Sequence, residues 1–330
     1  MEIYPFVDPL TKKALTRKEK SEGKFLEGHV LFPIHEHYVD LVLPRNLSGE
    51  LLSTQQHCDE RASVYDDFLP LTFATHGIDE LSERMSFISE LSLTGSETVL
   101  EVGCGTGRDS SLIADMLVDD GSLHVLDLSP QMLEKTYQKL SEKKVKFTIC
   151  AANAAHLPYP DNYFDAIYSF GGLGEFPDPI KFFQELERVS KVGARVVLGD
   201  ESLPPWLRGS YFGNVLCETN KQFLAEIPWA AIPVCVRGFS LRYVINNCFY
   251  LISFFMGAGE PEADFDIPIP GIRGGTYRTR FEGKLEGVSA DTKELVLRAC
   301  QAKGVSIYEL TNQVLREGVG KILSVSERPD

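Results

Sequence analysis

Short apolar runs, separated by stretches with helical spacing, dominate the middle of the chain. The runs are Thr98–Val102, Ser122–Leu128, Val145–Cys150, Phe164–Phe170 and Ala194–Leu198. Apolar runs of this length are typical of strands that are buried on both faces of a parallel sheet. Strands that alternate with helices in this way predict an α/β fold in which a doubly wound sheet carries helices on both faces.

Two helices of this region have explicit starting signals. Ser129-Pro130 and Asp178-Pro179 each place an oxygen-bearing cap before a proline at the first helical position, where the missing N–H is not needed. The region ends in the apolar stretches Ser240–Asn246 and Cys248–Phe255. Because Asn246-Asn247 tolerates tight-turn geometry, these stretches predict a pair of terminal strands.

The patterns divide the chain into three stretches, 1–60, 61–257 and 258–330. The first contains an alternating run from Lys24 to Leu43, which predicts two or three strands of a small β extension or lid. The second is the sheet domain. The third predicts a cap with two helices, at 291–303 and from 306 to about 322, that docks on the core or forms a homodimer face.

Composition limits the partners of the chain. Its 330 residues include 33 basic and 47 acidic side chains, so the net charge is −14, whereas proteins that bind nucleic-acid backbones need a basic surface. No apolar stretch reaches the roughly 18 residues of a membrane span, and the first residues lack the apolar core of a signal peptide. We therefore expect a cytoplasmic location, no membrane partner and no nucleic acid.

Cysteines and histidines do not form a recognisable metal site in the sequence. The seven cysteines are scattered and never have C-x-x-C spacing, which argues against a disulfide framework or a zinc ribbon. His35 and His37 would share one face of a strand, but no third ligand lies nearby. No metal is expected.

A glycine-rich segment is the strongest local signal. In Val99-Leu-Glu-Val-Gly103-Cys-Gly105-Thr-Gly107-Arg108, an apolar strand runs into three glycines and then a helix. Such glycines let the backbone turn sharply and approach a ligand at the helix start, although they also serve tight turns without any ligand. Asp127 ends the next strand, 24 residues after Gly103, where its carboxylate can accept both hydrogens of a ribose diol.

Three ordered motifs together resemble the class I S-adenosylmethionine-dependent methyltransferases. They are Glu101-Val-Gly-Cys-Gly-Thr-Gly107, then Val125-Leu-Asp127-Leu-Ser-Pro-Gln-Met132-Leu, then Ala152-Asn153-Ala-Ala-His156-Leu-Pro158-Tyr-Pro-Asp161-Asn-Tyr-Phe164-Asp165. The resemblance covers roughly residues 70–257. It implies a seven-stranded, mostly parallel sheet with a reversed last strand and S-adenosylmethionine as the cofactor.

The resemblance also implies which residues hold that cofactor. Glu101 would support the loop or the amino group, Asp127 would hold the ribose, and Asn153 takes the place of the family's usual aspartate at the adenine edge. The full set of implied cofactor residues is Glu101, Gly103, Gly105, Gly107, Asp127, Leu128, Met132, Asn153, Ala154 and Phe170.

The spacing of the glycines fits this cofactor better than a dinucleotide. Gly107 follows Gly105 by two residues, not by the three that bring a helix close to a pyrophosphate. A sulfonium is already activated, so methyl transfer needs little beyond holding the acceptor in line at close distance. The lack of an obvious catalytic dyad is therefore compatible with a methyltransferase.

Candidate acceptor residues follow the fourth and fifth strands, because the acceptor pocket of this fold lies over the carboxyl ends of the strands. Glu175 is a candidate for orienting or deprotonating the acceptor, or it only leads into the next helix. The loop 199–211 contains Asp200, Trp206, Arg208 and Tyr211, which form either a polar pocket edge or a solvated loop. The catalytic candidates are Glu175, Asp200 and Tyr211.

The acceptor class has one favoured interpretation and two alternatives. No Asn-Pro-Pro-Tyr or Asp-Pro-Pro-Tyr motif follows the fourth strand, as it does in the family's amino-methylating nucleic-acid enzymes, and the acidic charge favours a small-molecule acceptor. The alternatives are an RNA base methyltransferase and a catalytically silent scaffold that binds the cofactor. The start of the chain resembles a zinc ribbon that has lost its cysteines, as found before some ribosomal-RNA methyltransferases.

Overall fold

The structure is a computed structural model in which residues 5–21, 23–118, 120–283 and 288–326 are described. The strands are β1 (Thr16–Lys20), β2 (Gly23–Glu27), β3 (Leu31–Pro33), β4 (Val39–Asp40), β5 (Thr98–Val102), β6 (Ser122–Asp127), β7 (Lys146–Ala151), β8 (Phe164–Phe170), β9 (Ser190–Glu201), β10 (Val236–Val244) and β11 (Phe249–Met256). The helices are α1 (Gly49–Arg61), α2 (Tyr65–Thr75), α3 (Glu80–Ser89), α4 (Arg108–Met116), α5 (Pro130–Leu140), α6 (Pro179–Val189), α7 (Tyr211–Thr219), α8 (Tyr277–Glu282), α9 (Ala290–Lys303) and α10 (Ile307–Ser326).

A mostly parallel sheet has the strand order β10-β11-β9-β8-β5-β6-β7-β4. The pairs from β9 to β4 are parallel, whereas β11 runs antiparallel to both β9 and β10. The predicted doubly wound sheet of seven strands with a reversed terminal strand is confirmed. The structure adds β4, a two-residue strand from the N-terminal stretch that pairs with β7 through Val39 and Cys150.

Hydrophobic side chains fill both faces of this sheet. On one face Leu100, Ile167 and Val196 belong to a cluster with Phe182 and Phe183 of α6. The other face is covered by a separate cluster, whose members include Val99, Val125, Tyr168, Val197 and Leu133. Successive side chains of each strand therefore point alternately into two buried clusters, which explains why these strands are apolar throughout.

Both predicted helix caps are confirmed. The Ser129 side chain accepts a hydrogen bond from the N–H of Met132, and the Asp178 side chain accepts one from the N–H of Lys181. The predicted turn after β10 is also present, with Asn246 and Asn247 in the left-handed backbone region at φ 52° and 65°. Local side-chain chemistry decided these positions, so the sequence was sufficient to find them.

The N-terminal stretch differs from its prediction in two ways. Gly49–Arg61 is a helix, α1, although the β extension was expected to continue to residue 60. By its contacts the chain divides into two units, the first ending at Glu260 and the second beginning at Pro261, with no division at residue 60. The physical reason is that Phe6 and Phe32 share one hydrophobic cluster with Leu100 of the sheet.

Strand β9 is longer than predicted, and two consecutive acidic residues, Asp200 and Glu201, belong to its end. Its ladder with β11 continues to the pairs Asp200 with Tyr250 and Glu201 with Phe249. The predicted loop 199–211 was therefore wrong at its start, since antiparallel pairing extends the strand beyond its apolar core. In the part of the chain that the structure describes, no helix is both long and apolar enough to cross a membrane.

The second unit is helical, with α8, α9 and α10. The two helices predicted near 291–303 and 306–322 correspond to α9 and α10, and α8 was not predicted. Cys300 of α9 and Leu310 of α10 are buried. The proposed homodimer face stays a prediction.

Candidate functional site

A cavity lies at the carboxyl ends of β5, β6, β8 and β9, where the chain leaves the sheet. Ten of its lining residues were singled out from the sequence: Glu101, Gly103, Gly105, Asp127, Leu128, Met132, Asn153, Ala154, Phe170 and Glu175. They come from segments that are distant in the chain and that meet only because parallel strands end at one edge.

The glycine segment forms one wall of the cavity in a conformation that suits glycine. Gly103 and Gly105 have φ values of 69° and 53°, in the left-handed region. A Cβ on Gly103 would lie 3.6 Å from the Phe176 ring and 3.8 Å from the Cα of Gly172, in the space between two facing loops. A side chain there would fill part of the cavity, so the wall requires bare backbone.

Asp127 lies at the end of β6 and is held by backbone donors. Its Oδ2 accepts a hydrogen bond of 2.9 Å from the N–H of Gly105, and its Oδ1 accepts one of 2.9 Å from the N–H of Ser129. The side chain is largely buried, with the residue 9% exposed, and burial raises the pKa of its carboxyl. Each carboxylate oxygen keeps a second lone pair, so Asp127 can accept two further hydrogen bonds from a ligand.

Glu101 forms the buried floor beneath the glycine segment. The residue is 3% exposed, and its carboxyl accepts a short hydrogen bond from the Ser110 hydroxyl. Burial, together with the charge of Asp109, raises the pKa of Glu101 well above its usual range. Asp109 itself is paired with Arg84, whose Nη1 lies 2.8 Å from both of its carboxylate oxygens.

The cavity is also lined by Leu128, Met132, Asn153 and Ala154. The Asn153 amide is engaged with the protein, since its Nδ2 donates to the Leu43 carbonyl at 3.0 Å and its Oδ1 accepts from the N–H of Ala155 at 3.0 Å. Its Oδ1 retains one lone pair for a ligand. The side chain thus joins the N-terminal stretch to the cavity.

Three residues singled out from the sequence lie outside the cavity lining. Gly107 is the cap residue of α4, with φ 77°, and packs against Thr136. Asp200 is buried and accepts hydrogen bonds from the N–H groups of Gly174 and Glu201 at 2.5 and 2.7 Å. Tyr211 is 87% exposed at the start of α7. Asp200 and Tyr211 therefore lie outside the cavity lining, and their catalytic roles stay predictions.

Glu175 lines the cavity and is held at both carboxylate oxygens. The Thr54 hydroxyl of α1 donates to Oε2 at 3.4 Å, and the Gln222 amide donates to Oε1 at 3.3 Å. It belongs to a 3-10 turn, Leu173–Glu175, between β8 and α6. Glu175 therefore lies in the loop after β8 and is held there in part by helix α1, through Thr54.

Sequence reasoning missed the helices that close the cavity. Residues of α1 and α2 contribute a large part of the lining: Leu51, Thr54, Cys58, Tyr65, Leu69, Thr72 and Phe73. The Tyr65 ring lies over the glycine wall, 4.0 Å from the point where a Cβ of Gly105 would be. Helix α1 has no fully buried side chain, so its weak apolar pattern gave little signal for a helix.

The lining is rich in carboxyl groups, which can accept hydrogen bonds from a ligand. Five acidic side chains line the cavity: Glu101, Asp109, Asp127, Glu175 and Glu201. The two lining arginines are already paired, Arg84 with Asp109 and Arg108 with Glu80 at 2.7 Å. No group of three or more metal-ligating side chains was found among the residues that the structure describes.

Comparison with known proteins gives partial matches. Residues 99–193 match the methyltransferase-domain family. The chain is similar to the demethylmenaquinone methyltransferase of Lactiplantibacillus plantarum, with 34% identity over 37% of this chain and 52% of the relative. That of Bacillus licheniformis is 37% identical over 32% of this chain and 46% of the relative. The chain thus spans about half the length of the curated relatives it matches.

A solved structure of a methyltransferase from Aquifex aeolicus is also similar. It is 21% identical, with a TM-score of 0.39, and the match covers 53% of this chain and 88% of that chain.

Proposed function

We propose that this chain transfers a methyl group to a small-molecule acceptor. The reason is that residues 99–193 match the methyltransferase-domain family, which we assign to the class I S-adenosylmethionine-dependent enzymes. The cofactor of this family is S-adenosylmethionine. The acceptor would lie beside it in the same cavity, next to Glu175 and the aromatic side chains of β8 and α2.

The position of Asp127 carries the proposal. Backbone N–H groups on both sides hold its carboxylate in the cavity lining at the end of β6. Because one lone pair remains on each oxygen, the carboxylate can accept both hydroxyl hydrogens of a ribose. A carboxylate that is already held in place loses little conformational entropy when it binds such a diol.

The other lining residues fit the remaining parts of S-adenosylmethionine. The bare backbone of Gly103 and Gly105 would accommodate its methionine part, and Glu101 would hold its ammonium group, whose charge would favour ionised Glu101. Leu128, Met132 and Asn153 would surround the adenine. When bound, the cofactor supplies a methyl group already activated by the positive sulfur.

The chain's own residues would position the acceptor and exclude water. Tyr65, Phe73, Phe170, Phe176 and Phe249 give the cavity an aromatic lining. Phe170 stacks between Phe87 and Phe249, with ring centroids 4.7 and 5.5 Å away, so its orientation is fixed by packing. A fixed, apolar wall supports in-line transfer because the reaction depends mainly on holding two reactants at close distance.

Two observations support a small molecule over a nucleic acid. The net charge of −14 opposes binding to a phosphate backbone. The partial relatives named above act, by their names, on demethylmenaquinone, which is a small molecule.

Calorimetry with S-adenosylmethionine and S-adenosylhomocysteine tests cofactor binding. We expect both to bind the wild-type chain and Asp127→Ala to weaken binding by about 10- to 100-fold, the loss expected for charge-assisted hydrogen bonds. The matched control is Asp120→Ala, an exposed aspartate before β6, which should bind like wild type. Absence of binding by the wild-type chain would refute the proposed function.

A labelling experiment tests the acceptor class. The chain is incubated with S-adenosylmethionine labelled in its methyl group and with an extract of its host, and the label is then fractionated by size. We expect label in the small-molecule fraction. Label in large RNA would contradict the small-molecule acceptor and favour RNA methylation.

A further inference from the structure

An acid pair, Asp200 and Glu201, lies at the end of β9. Asp200 and Glu201 are consecutive, but only Glu201 lines the cavity. Across the sheet, Glu201 pairs with Phe249 of β11, which also lines the cavity. Glu201 is thus the residue of the pair that borders the cavity, whereas Asp200 is buried in the protein.

The two carboxyls have different hydrogen-bonding partners. Asp200 is 4% exposed and accepts hydrogen bonds from two backbone N–H groups, those of Gly174 and Glu201. Two N–H donors stabilise its charged form. The Glu201 carboxyl accepts a hydrogen bond of 3.5 Å from the Asn220 amide at Oε1, and it also hydrogen-bonds the carboxyl of Asp200. Backbone N–H donors thus occupy both carboxylate oxygens of Asp200.

The surroundings of Glu201 disfavour a second charge. Burial, and then the charge of Asp200 beside it, raises the pKa of Glu201 well above its usual range. The neighbouring cavity wall is aromatic, since Phe249 stacks on Phe170. A carboxyl in an apolar wall next to an ionised carboxylate keeps its proton, because two like charges at such distance are costly. Glu201 thus presents an uncharged group to the cavity.

We propose that Glu201, which lines the cavity beside Phe249, is the acceptor-recognising residue of this site and that it hydrogen-bonds an uncharged hydroxyl or carbonyl of the acceptor. The inference rests on the proposed function, since it concerns the second ligand of the same cavity. A protonated carboxyl can both donate and accept, so it suits either of these oxygen groups. An anionic acceptor group would be repelled by the carboxylates of Asp200 and Glu175.

Asp200 acts through other residues and is a positioning residue. Its contact with Gly174 holds the 3-10 turn that carries Glu175, and its charge keeps the proton on Glu201. This assigns a use to Asp200 other than the contact with the acceptor that the sequence predicted.

Calorimetry with simple aromatic probes tests the proposal on the full chain saturated with S-adenosylhomocysteine. The probes are 1-naphthol, 1-naphthoate and 1-naphthylmethylammonium, which present a hydroxyl, an anion and a cation on the same ring. We expect 1-naphthol to bind at least about tenfold more tightly than either charged probe, because burying a charge against the aromatic wall without an oppositely charged partner is costly. A charged probe that binds as tightly as 1-naphthol would overturn the proposal.

Variants of Glu201 test the residue itself. Glu201→Gln keeps an uncharged donor and acceptor and should bind 1-naphthol within about threefold of wild type, whereas Glu201→Leu should lose about tenfold or more. Glu142→Gln, at an exposed position after α5, is the matched control and should behave as wild type. Equal losses in Glu201→Gln and Glu201→Leu would show that Glu201 acts in its charged form and would contradict the proposal.

Binding of S-adenosylhomocysteine distinguishes a wrong assignment of Glu201 from a wrong assignment of the cofactor site. If it binds and none of the probes does, the assignment of Glu201 is wrong while the cofactor site stands. If it does not bind to the wild-type chain, the proposed function fails as well.

Discussion

The glycines of the loop after β5 share a backbone conformation but face different surroundings. Gly105 lines the cavity, and its N–H holds Asp127. Gly107 starts α4, where a Cβ would lie 3.0 Å from Thr136. Both have positive φ, so each would be strained by a side chain, but only Gly105 is placed to touch a ligand.

This difference predicts opposite effects of two matched substitutions. Gly107→Ala should lower the free energy of unfolding by about 2–4 kcal/mol, through backbone strain and the contact with Thr136. Its affinity for S-adenosylmethionine should change less than about threefold. Gly105→Ala should weaken that affinity by about tenfold or more, since it disturbs the backbone donor of Asp127. Denaturant unfolding and calorimetry measure the two quantities.

A Gly107→Ala variant that is as stable as wild type, yet binds the cofactor tenfold more weakly, would contradict this division. The sequence motif predicted the same ligand-binding role for all three glycines. The different role of Gly107 became visible only from the packing of α5 against the loop.

At the scale of elements, helix α1 lines the cavity and is held by polar contacts with the loop after β6. Its inner residues Leu51, Thr54 and Cys58 line the cavity, yet none of its side chains is fully buried. The Gln55 amide donates to the Leu128 carbonyl at 2.9 Å, directly after Asp127. The Asp59 carboxylate accepts from the Ser129 hydroxyl and from the N–H of Gln131 at 3.2 Å.

These contacts predict that α1 supports cofactor binding. Gln55→Ala should weaken the affinity for S-adenosylmethionine by about 2- to 10-fold, as expected for one net hydrogen bond. The neighbouring Gln56 is exposed, so Gln56→Ala is the matched control and should leave the affinity unchanged. Calorimetry gives the affinities. An equal loss in both variants would show that helix stability, not the contact with Leu128, is responsible.

A buried carboxylate, that of Asp8, organises the N-terminal stretch. The Asp8 side chain is fully buried, and its Oδ1 accepts from the N–H groups of Leu10 and Thr11, both at 2.9 Å. Its Oδ2 lies 2.6 Å from the N–H and 2.7 Å from the Nδ1 of His29. Burial opposes the charge, but the hydrogen bonds from Thr11, His29 and Leu10 outweigh it and lower the pKa of Asp8 to about 2.

The lowered pKa predicts a loss of stability in acid. Because the folded-state value lies below that of the unfolded chain, Asp8 stabilises the fold above the unfolded pKa of about 4, and this contribution disappears as the pH falls towards 2. It amounts to about 2 kcal/mol at neutral pH. Urea unfolding between pH 2 and 7 should show that Asp8→Ala is less stable than wild type at pH 7 and that the difference shrinks in acid.

The half-exposed Asp115 offers a control, since its side chain is 60% exposed and paired with Lys143 at the surface. Asp115→Ala should cost less than about 1 kcal/mol at every pH. A difference between Asp8→Ala and wild type that stays constant down to pH 2 would contradict the assigned ionisation.

For the whole molecule, the cavity belongs to the first of the two units. Its lining residues lie between Leu51 and Phe249, and this unit ends at Glu260. A chain that ends at residue 260 should therefore fold and bind S-adenosylmethionine within about threefold of the full chain. Circular dichroism and calorimetry measure this. A shortened chain that folds but does not bind would show that residues 261–330 complete the site.

Sequence information was sufficient where short-range chemistry decides the structure. Apolar runs of fixed length specified the parallel strands, and Ser129 and Asp178 specified helix starts through hydrogen bonds to their own neighbours. The glycine segment and Asp127 could be placed together because they end adjacent strands. The motifs thus determined the architecture, and their resemblance to a known family supplied the proposed cofactor, S-adenosylmethionine.

Tertiary structure decided what closes the cavity and which carboxyl faces it. Helix α1 has no strong apolar period, because it rests on polar contacts with a distant loop. Glu201 reaches the cavity and Asp200 does not, because pairing with β11 extends β9 by three residues beyond its apolar core. These positions depend on contacts between segments far apart in the chain, and such contacts leave no periodic signal in the sequence.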